Sequence, residues 1–156
     1  MGRFLFSFRG LRLSLFSLFR LLAILQAVQE IGAKMKKQSL KNLKAKAWTV
    51  FSAYIRQRDQ GICYTCGDRR NWKEQQAGHF IHGKKYPVSY FDESNVHCQC
   101  VRCNHFLSGN LARYATRLVA QYGPAILEEI QAEKNIIKVG RDFYEGIILR
   151  YSEKTK

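Results

Sequence analysis

Residues 63–104 read CYTCGDRRNWKEQQAGHFIHGKKYPVSYFDESNVHCQCVRCN, a stretch opened by the pair Cys63 and Cys66 and closed by the pair Cys100 and Cys103. Each CxxC sets its sulfurs about one tight turn apart, and two such pairs supply the four thiolates of a tetrahedral zinc site. Between the brackets lie His79, His82, Asn95 and His97, more imidazole and amide than a purely structural knuckle needs. His105 alone among the histidines falls outside. Zinc is therefore expected to clamp the two ends of a short hairpin.

Inside the brackets, Gly67 follows the first CxxC, where a residue without Cβ lets backbone amides turn toward the sulfurs. Gln75–Ile81 and Val88–Phe91 read as two short strands, with HGKKYP between them as a loop carrying Lys84 and Lys85. A sharper turn at Asp92–Asn95 leads to the second knuckle, and a helix is expected to start at Val101–Asn104. Five cysteines, four of them in CxxC pairs, favour metal in a reducing compartment over a disulfide framework. Cys98 has no spacing partner and reads as a free thiol, with service as an alternative ligand the other option.

Outward from this centre, Leu40, Leu43, Ala47, Val50, Phe51, Tyr54 and Ile55 recur at three- and four-residue steps, which predicts a helix from Ser39 as N-cap to Gly61. Lys41, Lys44, Lys46, Arg56 and Arg58 fall mostly on its other faces. Downstream, Leu111, Tyr114, Ala115, Leu118, Val119 and Tyr122 form a second stripe ended by Gly123. Pro124 suits the first turn of the next helix, and Arg141–Tyr151 reads as a last one. The expected fold class is α+β: a small zinc-stapled ββα core flanked by an N-terminal basic helix and C-terminal helices.

The chain has 156 residues, one domain's worth, and a formal net charge of +14. Residues 1–60 hold 12 basic and 2 acidic side chains, residues 61–156 hold 14 and 10, so the excess sits in the N-terminal part. Such a balance points to a polyanionic partner, DNA first, with Lys41, Lys44, Lys46, Lys84 and Lys85 as phosphate contacts. A solubilising or targeting tail is the bland alternative. Residues 1–34 form an apolar, arginine-dotted extension whose uncharged runs, Leu13–Phe19 and Leu21–Gln29, span 7 and 9 residues. Both fall short of the roughly 20 residues a spanning helix requires. The extension reads either as an organellar leader or surface helix, or as no functional element, with Met35 the start of a cytoplasmic protein. The second reading is preferred, with weak structure before residue 35 and a domain over 35–156.

Hydrolysing a phosphodiester in line needs an activated water and a divalent metal that stabilises charge on the transition state and leaving oxygen. Neutral imidazole is a suitable base, and magnesium or manganese accepts amide oxygen. His79 on a hairpin strand opposite Asn104 at a helix start would present base and ligand to one phosphate.

AGHF at Ala77–Phe80 followed by NVHCQCVRCN at Asn95–Asn104 resembles the HNH, or ββα-metal (His-Me finger), endonucleases. The chain from about Ala47 to Ile130 is more closely similar to the NinG (Rap-like) recombination proteins of lambda-like phages, through YIRQRD, CYTCG, AGHF, FDESNVHCQCVRCN, SGNLARY and YGPAILEEI. The resemblance implies a metal-dependent, structure-specific DNA endonuclease acting on Holliday junctions and D-loops in a bacterial host. It assigns His79 as general base, Asn95 as the motif asparagine that shapes the loop, and Asn104 as ligand of a catalytic magnesium or manganese. Cys63, Cys66, Cys100 and Cys103 are expected to hold structural zinc. Many HNH enzymes carry Asp or His before the base, where this chain has Gly78, so His82, Asp92 or Glu93, or else water and phosphate, would complete the metal's shell. Two other functions are carried forward: a noncatalytic zinc-stapled DNA-binding module, and an HNH nuclease cutting linear duplex. A dimer is left open.

Overall fold

The computed structural model describes residues 15–36, 38–83, 86–132 and 138–155. The chain divides into two units, residues 1–38 and 39–156. In the first, α1 spans Leu15–Lys36. This corrects the expectation of weak structure before residue 35: Leu, Ala, Gln and Glu are good helix formers, and no proline or glycine interrupts them until Gly32. Phe19, Leu22 and Ile24 are exposed on it. Among the described residues no helix is long and apolar enough to cross a membrane, and residues 1–14 of the leader reading lie outside the described residues.

The second unit opens with α2, Leu40–Arg58, whose N-cap Ser39 accepts a hydrogen bond from the Asn42 amide at 3.3 Å. Leu43, Ala47, Phe51 and Ile55 are its fully buried stripe, while Leu40 at its start is exposed. A short sheet follows, β1 (Gln76–His79) antiparallel to β2 (Val96–Gln99), with Gly78 opposite His97 and Gln76 opposite Gln99. Between them α3 is a single turn, Pro87–Tyr90. The strand expected at Val88–Phe91 is therefore absent, because Pro87 takes the first helical position and the Tyr90 amide bonds back to the Tyr86 carbonyl. The true second strand escaped periodicity since all four of its residues are buried.

After β2 comes Val101 and one π-helical turn, Arg102–Phe106, in place of a longer helix. It ends where Ser108, Gly109 and Asn110 all take positive φ. Then α4 (Leu111–Tyr122), α5 (Ile126–Ala132) and α6 (Arg141–Ser152) complete the unit. The architecture is α+β, helices around one two-stranded sheet.

Two packing regions flank the sheet. On one side α2 meets α6, with Phe51 edge-on to Tyr151 at 5.0 Å and to Phe91 at 5.5 Å. On the other, Tyr114, Leu118, Ile126 and Ile130 form a buried cluster with Tyr64, Phe80 and Ile81 against it. The Tyr114 hydroxyl reaches the Gly78 carbonyl at 3.0 Å, which ties α4 to β1.

Candidate metal centre and the cleft beside it

The four sulfurs of Cys63, Cys66, Cys100 and Cys103 lie within 4.8 Å of one another, and Cys66 and Cys100 are 3.8 Å apart. A tetrahedron with zinc–sulfur bonds of about 2.3 Å has edges of about 3.8 Å, so the donor set fits zinc. Tight backbone turns and nearby donors shape the two knuckles. Gly67 turns with φ +82°, and its amide bonds to the Cys63 carbonyl at 2.8 Å. The Cys103 amide points at Cys100 Sγ (3.5 Å) and Asn110 Nδ2 at Cys103 Sγ (3.6 Å). Burial pushes the Cys66 thiol up to about 12 and Cys100 upward too. Cys63 is opposed by the same burial, yet the Thr65 hydroxyl and the Cys100 and Cys66 amides bring it down to about 6. Such closely spaced sulfurs ask for a soft dication to neutralise them.

Cys98 stands apart from this set. It is fully buried, pushed up to about 12 by burial and by Asp59, and its amide is held by Asp59 Oδ2 at 2.7 Å.

His79 closes β1. Its ring stacks on Trp48 of α2 (5.0 Å, 16°), and Nε2 lies 3.1 Å from the Tyr90 carbonyl. A carbonyl accepts only, so Nε2 carries the hydrogen and Nδ1 keeps the lone pair. The side chain is 6% exposed, and burial holds its pKa down to about 4, leaving it neutral at pH 7. His82 is exposed with its ring 6.0 Å from His79. His97 is a core residue: its ring stacks on Tyr64 at 3.8 Å, and its nitrogens meet the Tyr114 and Tyr122 hydroxyls.

Asn104 sits on the π-turn, where Nδ2 donates to Gln76 Oε1 at 2.7 Å. Its Oδ1 faces β1, 2.8 Å from where a Cβ on Gly78 would stand. A cleft of about 320 Å³ lies beside it, lined by Trp48, Arg56, Gln76, Ala77 and Asn104 among others. No hydrogen bond joins His79 to Asn104 among the described residues; Trp48 stacks on the first and shares the cleft with the second.

Asn95 is fully buried and committed to the backbone. Its Oδ1 accepts from the Ile81 amide at 2.8 Å, and Nδ2 donates to the Ile81 and Ser89 carbonyls. It fixes the loop after β1 and touches nothing in the cleft. Asn95→Ala would leave the partly buried amide and carbonyl of Ile81 without this partner and strip the Ser89 carbonyl of its shorter bond, and is expected to cost about 2–3 kcal/mol, read by urea unfolding.

Of the acids offered as further ligands, Asp92 bonds the Ser94 amide and hydroxyl. Glu93 accepts from the Tyr54 and Tyr151 hydroxyls at 2.9 and 2.8 Å, which with nearby Lys154 and Arg58 keep its carboxyl low despite burial. Both therefore serve local structure. Arg58 is likewise drawn inward, donating to the Glu93 and Val96 carbonyls. Lys41 and Lys46 are exposed on α2, and Lys44 lies 5.3 Å over the Tyr90 ring. Lys84 and Lys85 lie outside the described residues.

The residues that sequence reading missed are Trp48, Gln76 and Gln99. Trp48 falls within one turn of the apolar stripe of α2. The two glutamines pair across the sheet register, which the misplaced second strand hid.

Acidification should destabilise the fold through His97. Its unfolded pKa is 6.5 and burial lowers it to about 3 in the fold, so the unfolded chain binds the extra proton and stability falls as pH drops from 6.5 toward 3. His97→Gln should remove a slope that is about 0.7 kcal/mol per pH unit at pH 6.5 and grows to about 1.4 by pH 5 relative to the parent, read by denaturant unfolding at each pH.

The family described as Bacteriophage Lambda NinG protein matches residues 26–156. The protein ninG of Escherichia phage 933W is 34% identical over 106 residues, covering 67% of this chain and 52% of that protein. Those of Salmonella phage P22 and Escherichia phage lambda are 34% and 33% identical with the same coverage. The chain thus spans about half the length of the curated relatives it matches. No solved structure matches it. With the family match running through both CxxC pairs and all of the second unit, the chain belongs to the bacteriophage lambda NinG protein family.

Proposed function

We propose that this chain is a metal-dependent DNA endonuclease that cuts branched recombination intermediates such as four-way junctions and D-loops. One observation carries the reading. At one point on β1 Asn104 Oδ1 lies over Gly78, the residue directly before His79, and Asn104 shares a cleft with Trp48, which stacks on the His79 ring. The zinc-binding cysteines enter immediately before Asn104 and ahead of β1, fastening both sides of that point.

In this reading His79 receives the proton of the attacking water at Nδ1, while the Tyr90 carbonyl holds Nε2–H and fixes the ring. Gln76 orients Asn104 by taking its Nδ2 hydrogen, which leaves Oδ1 for a hard cation. Magnesium or manganese bound there would supply charge stabilisation at the phosphoryl and leaving oxygens. The exposed lysines of α2 meet the DNA backbone.

A second reading, a noncatalytic zinc-stapled DNA-binding module, is favoured by the 6% exposure of His79, which leaves little ring for a water to reach. Incubating the zinc-loaded protein with a synthetic four-way junction and with linear duplex of the same sequence, in magnesium, manganese or chelator, separates the readings. Metal-dependent cleavage of the junction in preference to the duplex supports the proposal. Equal cleavage of the duplex supports a linear-DNA nuclease, and binding without cleavage supports the module.

A further inference from the structure

Gln99 is the last residue of β2 and is completely buried. Its Nε2 donates to the Gly109 carbonyl at 2.8 Å and to Thr65 Oγ1 at 3.2 Å. These two bonds fix the amide's orientation, because flipping it would set oxygen against the Gly109 carbonyl. The other end, Oε1, has no hydrogen-bond partner among the described residues. Leaving a buried amide oxygen unsatisfied is costly, and such an orphan calls for an explanation.

Its surroundings supply one. A Cβ built on Gly78 would stand 2.0 Å from Gln99 Oε1 and 2.8 Å from Asn104 Oδ1. Two amide oxygens from different elements thus converge on the space that the missing Gly78 side chain leaves open. Each is held by the opposite end of its own carboxamide, Gln99 by Gly109 and Thr65, Asn104 by Gln76. Both are hard neutral donors, the kind magnesium and manganese accept. Asn104 is half-buried and also lines the cleft, whereas Gly78 and Gln99 are buried.

We infer that Gln99, through Oε1, is the second protein ligand of the divalent cation held by Asn104, and that glycine at position 78 is what makes room for it. The inference rests on the functional reading above. It answers the question that Gly78 raises: the ligand missing from β1 is replaced from the facing strand. It also accounts for Asp92 and Glu93 being committed elsewhere. Two neutral oxygens give weak binding, with water and substrate phosphate completing the shell.

The test is manganese binding to the zinc-loaded protein, followed by the loss of the free-ion electron paramagnetic resonance signal. The parent should bind one manganese outside the zinc site. Gly78→Ala and Gln99→Met should each weaken that binding at least tenfold with zinc content unchanged, as should Asn104→Ala. Because either β-strand variant could fail to fold, a magnesium titration of the parent followed by ¹⁵N NMR is run beside them. The side-chain NH₂ resonances of Gln99 and Asn104 should shift together with one binding curve. Manganese binding lost in Asn104→Ala but intact in Gly78→Ala and Gln99→Met, or a titration that moves Asn104 alone, overturns the role of Gln99 and leaves the nuclease reading standing. No binding in the parent and no shift of either resonance overturns both.

Discussion

Replacing Cys63 with serine is expected to unfold the second unit and release its zinc. Cys63 is fully buried between both knuckles, its amide bonded to the Asp68 carbonyl and its sulfur within 3.4 Å of Thr65 Oγ1. A hydroxyl at that place is a poor zinc ligand, and the remaining thiols would face one another in a buried pocket. Structural zinc contributes about 10 kcal/mol or more of apparent binding energy in small domains, whereas a domain's net stability is about 5–15 kcal/mol. Loss of about 5 kcal/mol should leave little cooperative transition, read by circular dichroism with a colorimetric zinc assay. A strong chelator should do the same to the parent. Cys98→Ser is the contrast: that thiol lies outside the four-sulfur set, so zinc content should be unchanged and stability should fall by only about 1 kcal/mol.

The second large effect is on cleavage. His79→Gln should lower the rate on a four-way junction by about a hundredfold to ten-thousandfold while junction affinity stays within about twofold. Glutamine is chosen because its amide can still donate to the Tyr90 carbonyl and fill part of the space under Trp48. It has no titratable nitrogen. In the parent, burial holds His79 at about 4, so its base form predominates from about one pH unit above that value. No loss of rate assignable to this group is expected between pH 8 and 5, and a fall should set in near pH 4 wherever the fold survives. A merely packed histidine would give a variant with altered stability and unaltered cleavage, and single-turnover rates at saturating protein distinguish the two outcomes.

Much of the arrangement is legible in the sequence. The Ser39 cap and the run from Leu43 to Ile55 placed α2 to within a few residues, because capping and a 3.6-residue stripe are local signals. The CxxC spacing placed the sulfur cluster for the same reason. The short sheet was only half legible. His79 and its strand were found, yet β2 carries a polar and ionisable sequence, VHCQ, that is buried by pairing and by Tyr64, Tyr114 and Asp59, none of which periodicity registers. Once β2 was misplaced, the pairing of Gln76 with Gln99 and the convergence on Gly78 could not be seen. Asp92 and Glu93 looked like spare carboxylates until Ser94, Tyr54 and Tyr151 occupied them, the last lying 58 residues from Glu93 in the chain. Helix α1 was underestimated since its apolar residues surround it without a polar face, whereas a surface helix is recognised by one.

Everything about the cleft depends on the two knuckles being joined through one metal. Zinc-edge X-ray absorption on the purified protein, with metal content measured on the same sample, tests that directly. The account predicts one zinc per chain with four sulfur neighbours at about 2.3 Å. A folded, cooperatively melting protein without zinc, or zinc whose shell lacks any of the four sulfurs, would contradict it.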